Sequence, residues 1–118
     1  MNLGKRTVTN LIAVGVSDKA IARALQLLVK ARGGIAAVGA TEEALLPLPI
    51  AGLMSDEDGY QVAAQYAHLD ALAKQMGSTL QAPFMSLSFM ALLVIPALKL
   101  SDHGLFDGER FAFTEVLL

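Results

Sequence analysis

The chain has no cysteine, only two histidines and little charge: Asp, Glu, Lys and Arg make up 17% of its 118 residues, against about 25% in an average soluble domain. The missing cysteine excludes disulfides, zinc–thiolate centres and cysteine nucleophiles, and fits an intracellular, cytoplasmic protein. The scarcity of histidine closes most routes to a metal centre. No run of Lys or Arg exceeds two, and the net charge is -2. There is thus no electrostatic footprint for nucleic acid, which is not expected as a partner. Glycines occur singly or as Gly33-Gly34. Without Gly-x-Gly-x-x-Gly or Gly-Lys-Ser/Thr nothing cradles a phosphate, and without Gly-x-Ser-x-Gly the serines of "MSLSF" form no nucleophile elbow.

A membrane span is not expected either. The uncharged stretch Gln75 to Leu98 is interrupted by Gly77, Pro83 and Pro96, and its densest apolar part, Phe89–Ile95, is far shorter than the roughly 20 residues a spanning helix needs. The N-terminal "MNLGKRTVTNLIAVGV" has a basic patch before an apolar run. That run is short and reads better as a strand entering a helix than as a signal peptide.

What is present in excess is apolar surface. Hydrophobic residues make up 54% of the chain, more than the usual 45–50% or so. Part of that surface is expected to face a second copy, another domain or a ligand. The length suits one domain, 1–118, with no repeat and no linker.

The expected class is mixed α/β, with one mixed sheet packed by helices. Thr7 to Gly15 is rich in β-branched residues and reads as a buried strand. Ser17 or Asp18 offers an N-cap, and Ile21, Ala24, Leu25, Leu28 and Val29 form one helical stripe that ends at Gly33-Gly34. "GGIAAVGA" reads as a second strand, so the three elements predict a βαβ unit with parallel strands. Thr41–Leu46 is compatible with a hairpin strand or a helical turn.

The segment "LPLPIAGLMSD", Leu46–Asp56, is unusual. Its prolines suit neither a central strand nor a helix interior and predict an extended, unpaired segment turned at Gly52. Ser55-Asp56 then caps a long second helix reaching Met76, with Val62, Ala63, Tyr66, Leu69, Ala73 and Met76 on its buried side. Pro83 opens a short helix through Leu93 that Pro96 ends. A C-terminal hairpin follows, with strands at Ala97–Leu100 and in "RFAFTEVLL" and turns at "SDHG" and "FDGE".

Candidate chemistry is thin. His68 has no second ligand at helical spacing and reads as a surface or half-buried helix residue. His103, with Asp102 and Asp107 nearby, could bind a metal or support a small hydrolase, but Ser-Asp-His-Gly is also plain turn composition. Asp56-Glu57-Asp58 is most simply a helix N-terminus. These residues by themselves support no independent enzyme, and no catalytic, cofactor or metal residue is assigned.

Two long segments, Leu46–Asp56 and "PFMSLSFMALLVIPALKLSDHGL" at Pro83–Leu105, resemble the C-terminal domain of bacterial adenine deaminases. The resemblance includes "NLIAVG" from Asn10 and "GGIAAV" from Gly33, in order. It implies hydrolysis of adenine to hypoxanthine and ammonia in purine salvage. It also implies a catalytic amidohydrolase-type barrel, absent from this sequence, in which manganese or iron activates water. On this reading the chain is a tail domain lacking its own first portion, silent alone. Its expected partners are that barrel, a second copy, or both, with adenine bound only by the full enzyme.

The family-motif and interface residues are Asn10, Leu46, Pro47, Leu48, Pro49, Ile50, Gly52, Met54, Asp56, Pro83, Phe84, Ser88 and Phe89. One departure stands out. Where the family often shows His-Asp-Ser-His-Asn, this chain has Arg6-Thr7-Val8-Thr9-Asn10 and keeps only Asn10. The alternative reading is a stand-alone interaction or small-ligand-binding module that reuses the fold. The 46–56 segment, apolar and without a polar group to orient a substrate, is expected to be a packing ledge.

Overall fold

In the computed structural model, which describes residues 11–116, the elements run α1 (Asp18–Ala31), β1 (Gly34–Val38), β2 (Glu43–Pro47), α2 (Gly59–Gln75), α3 (Pro83–Phe89), β3 (Leu98–Ser101), β4 (Gly104–Asp107) and β5 (Ala112–Thr114). The mixed α/β class holds. The described residues divide into two compact units, Ala13–Phe84 and residues 85–116 together with Leu11 and Ile12.

In the first unit α1 starts where its cap predicts. Ser17 Oγ accepts from the Ala20 N–H, and Asp18 and Lys30 sit at the dipole ends that suit their charges. Its end differs in one respect. Arg32, not a glycine, takes the first left-handed conformation (φ 62°), and the Gly33 N–H then donates to the Leu28 carbonyl at 2.9 Å.

Of the two readings of Thr41–Leu46, the hairpin strand holds. β1 pairs with β2, antiparallel, from Gly34↔Pro47 to Val38↔Glu43. The short connection that follows Val38 suits such a hairpin, whereas the parallel partner expected for β1 is the Thr7–Gly15 segment across α1. Of the expected first strand, Leu11–Gly15 carries no strand assignment, and Thr7–Asn10 lies outside the described residues. Among those residues the strands form two separate antiparallel sheets, not one mixed sheet.

The hairpin is covered on both faces. Ile35, Ala37, Ala44 and Leu46 meet Leu69 and Leu72 of α2, with Val62, Tyr66 and Phe84 at the edge of this core. The opposite face meets α1, whose Arg23 reaches Glu43 of β2. A strand with a helix on each face reads as a continuous apolar run, the same pattern as a parallel-sheet strand. Full burial of Leu46 and Leu69 contributes about 1.5–3 kcal/mol each.

Helix α2 begins later than expected. Asp58, not Ser55-Asp56, is the N-cap, its Oδ1 accepting from the Tyr60 and Gln61 N–H groups at 3.0 and 3.3 Å. Its buried side is Leu69, Leu72 and Ala73, whereas Ala63 and Met76 are exposed.

In the second unit α3 is shorter than the expected helix to Leu93. Beyond Phe89 the chain continues in tighter turns, Met90, Ala91 and Leu92 donating to Leu87, Ser88 and Phe89. The C-terminal hairpin proves to be a three-stranded meander, β3-β4-β5, all antiparallel. Asp107 Oδ1 accepts from Glu109 and Arg110 N–H groups and forms the second turn. Phe106 is buried and meets Phe111 and Phe113 edge to face at 5.5 and 5.2 Å between ring centroids.

Candidate functional site

The "LPLPIAGLMSD" segment has three structural parts. Leu46 and Pro47 are paired with Ile35 and Gly34, which corrects the expectation that the prolines keep them unpaired. Pro47 is tolerated because it is the last residue of β2, on a strand that among the described residues has no third neighbour. Leu48 packs against the core and donates its N–H to the Gly33 carbonyl at 3.2 Å.

From Ile50 to Met54 the chain makes a miniature hairpin. The Leu53 and Met54 N–H groups donate to the Ile50 carbonyl at 3.0 and 3.1 Å, and the Ile50 N–H donates to the Met54 carbonyl at 3.1 Å. Ala51 (φ 58°) and Gly52 (φ 72°) are both left-handed, as a type I′ turn requires. The tip presents apolar side chains to solvent: Ile50 is half-exposed, and Leu53 and Met54 are 60% and 57% exposed. Asp56 is exposed, and the Ser55 hydroxyl is spent on the Glu57 N–H.

The Pro83 motif places Phe84 edge to face on Tyr66, 6.4 Å between centroids. Ser88 Oγ donates to the Met85 carbonyl at 2.7 Å, so its hydroxyl is committed to its own helix. Phe89 is about half-exposed. Asn10 lies outside the described residues.

Neither histidine gathers a site. His68 Nε2 is 3.0 Å from Glu42 Oε1, both half-exposed. His103 occupies the β3–β4 turn, its N–H donating to Ser101 Oγ and its ring edge to face with Phe113. Asp107 stands at the other end of β4, engaged with its own turn. Among the described residues no three His, Asp or Glu side chains converge to hold a metal ion. The metal that the resemblance implies is placed by that resemblance in the barrel, and the described residues offer it no ligand set.

The best-formed polar contact is elsewhere. Arg23 and Glu43 make a two-pronged ion pair at 2.8 and 2.7 Å. The hydrogen bonds from Arg23 hold the Glu43 carboxyl below its ordinary value, and those to Glu43 raise the guanidinium. The pair borders an open groove of about 580 Å³ between α1 and the β1–β2 turn. Its charges satisfy one another.

Sequence reasoning also passed over Lys99, which is buried between exposed leucines. The signal was the alternation "LKL", which on a strand puts the lysine and the leucines on opposite faces but does not say which is inside.

Comparison with known proteins now decides the family. The model of the adenine deaminase C-terminal domain matches residues 7–112. The chain belongs to that family. It is similar to the adenine deaminase of Sulfurovum sp. (strain NBC37-1), 59% identical over 90% of this chain and 20% of the relative. It is likewise similar to that of Salinibacter ruber, 55% identical over 90% of this chain and 19% of the relative. The Methanothermobacter thermautotrophicus enzyme is 48% identical over 92% of this chain and 20% of the relative. The chain thus spans about a fifth of the length of these curated relatives. No solved structure matches. Among the described residues no helix is long and apolar enough to cross a membrane.

Proposed function

We propose that this adenine deaminase C-terminal domain is a non-catalytic packing module of a cytoplasmic enzyme that converts adenine and water to hypoxanthine and ammonia. Manganese or iron would belong to the enzyme's catalytic barrel, with which this domain assembles, directly or through a second copy of itself. The supporting observation is the contrast between what the domain keeps and what it lacks. It matches adenine deaminases closely over one fifth of their length, it gathers no metal-ligand set among the described residues, and it turns Leu53, Met54 and Phe89 outward. Apolar surface of this kind marks a face that another protein surface covers. The 50–54 tip, apolar and held rigid by its own hydrogen bonds, is such a ledge.

Ammonia release from adenine tests the reading. The purified chain, with and without added manganese or iron, is expected to release none, beside the full-length Sulfurovum enzyme as positive control. Metal-dependent turnover by the chain would overturn the proposal, and His103 would be the first residue to replace. A Pro47→Ala, Pro49→Ala pair that left assembly intact but abolished ligand binding would reassign the ledge as a ligand contact.

A further inference from the structure

Strand β3 is built inside out. Leu98 and Leu100 are 53% and 72% exposed, whereas Lys99 between them is 9% exposed. Alternation on a strand ordinarily sends the charged residue to water and the leucines inward. β3 is also an edge: among the described residues it pairs with β4 alone. An edge strand flanked by exposed leucines is a template for pairing with a second copy of itself.

The backbone geometry shows where the lysine tip goes. The Gly108 N–H donates to the Ala97 carbonyl at 2.8 Å, so the Ala97 carbonyl points toward β4. By the alternation of an antiparallel ladder the next carbonyl, that of Leu98, points to the free edge. The Lys99 ammonium donates to that Leu98 carbonyl at 3.4 Å and to the Pro96 carbonyl at 3.3 Å. Its stem is buried while its charge sits on an acceptor that an incoming strand would need.

We propose that Lys99 guards the edge of β3 that is unpaired among the described residues, holding a cation over the Leu98 carbonyl so that two copies of the domain do not pair strand to strand. A second β3 arriving there would displace the ammonium from its acceptor or bring two lysines together, and both are unfavourable.

The test is self-association of the purified chain by sedimentation, with amide hydrogen exchange read at Leu98 and Leu100, whose N–H groups point outward by the same alternation. Lys99→Met, close in length but uncharged, is expected to tighten self-association by roughly tenfold or more, with new protection at those two amides. Lys99→Arg is expected to behave as the native chain. Adding Leu100→Lys to Lys99→Met restores a cation to the edge and is expected to reverse the association. That double variant also separates edge pairing from unfolding, because a surface charge does not rescue a lost fold. Unchanged association in Lys99→Met, a failure of Leu100→Lys to reverse it, or protection of the Leu98 and Leu100 amides in native dimers would each overturn the proposal.

Discussion

Gly33 and Gly52 meet backbone to backbone. A Cβ built on Gly33 would stand 2.6 Å from the Gly52 Cα, and Gly33 itself has φ 121°. This contact seats the 50–54 turn on the start of β1 and links two glycines that are distant in the chain. Gly33→Ala therefore combines a forbidden backbone conformation with an overlap that no rotamer relieves. It is expected to destabilise the chain by about 2–4 kcal/mol, read as a lower urea midpoint at unchanged slope.

Ala51 predicts the opposite sign. It holds φ 58° at the exposed turn tip, a conformation costing an L-residue about 1–2 kcal/mol. Ala51→Gly removes that cost but adds freedom to the unfolded chain, so a net gain of about 0.5–1 kcal/mol is expected in the same denaturation experiment.

The start of α2 can be tested by a pair of variants. Asp58→Ala deletes the cap that accepts the Tyr60 and Gln61 N–H groups and is expected to cost about 1 kcal/mol. Asp56→Ala, at an exposed residue outside the helix, is expected to change stability by less than about 0.5 kcal/mol. The reverse order would move the helix start back to Ser55-Asp56.

Glu43 makes stability depend on pH in a definite direction. Its carboxyl is held below the ordinary value by hydrogen bonds from Arg23, so the unfolded chain binds that proton more readily than the folded one. The stabilisation is present above the ordinary carboxylate range and is lost as pH falls through the depressed folded value. Thermal midpoints of Glu43→Gln are expected to show a shallower acid slope than those of the native chain. Parallel slopes would remove the pair from the account of acid stability.

Much of the local structure was decided by the sequence itself, because its causes are local. Ser17, the stripe of Ile21, Ala24, Leu25 and Leu28 and the left-handed turn that Arg32 starts and Gly33 continues bound α1, although Val29, read on the same stripe, is exposed, and the family is carried by the two long motifs. Pairing was decided elsewhere. "TEEALL" is compatible with a strand or with a helical turn, and nothing in it decides between them. Only its pairing with β1 and the packing of that hairpin on α2 resolve it. The same holds for the surfaces that other proteins would meet. "LKL" fixes that lysine and leucines oppose one another across β3. Which of them is buried depends on what the rest of the fold places beneath that strand, and here the lysine is inside.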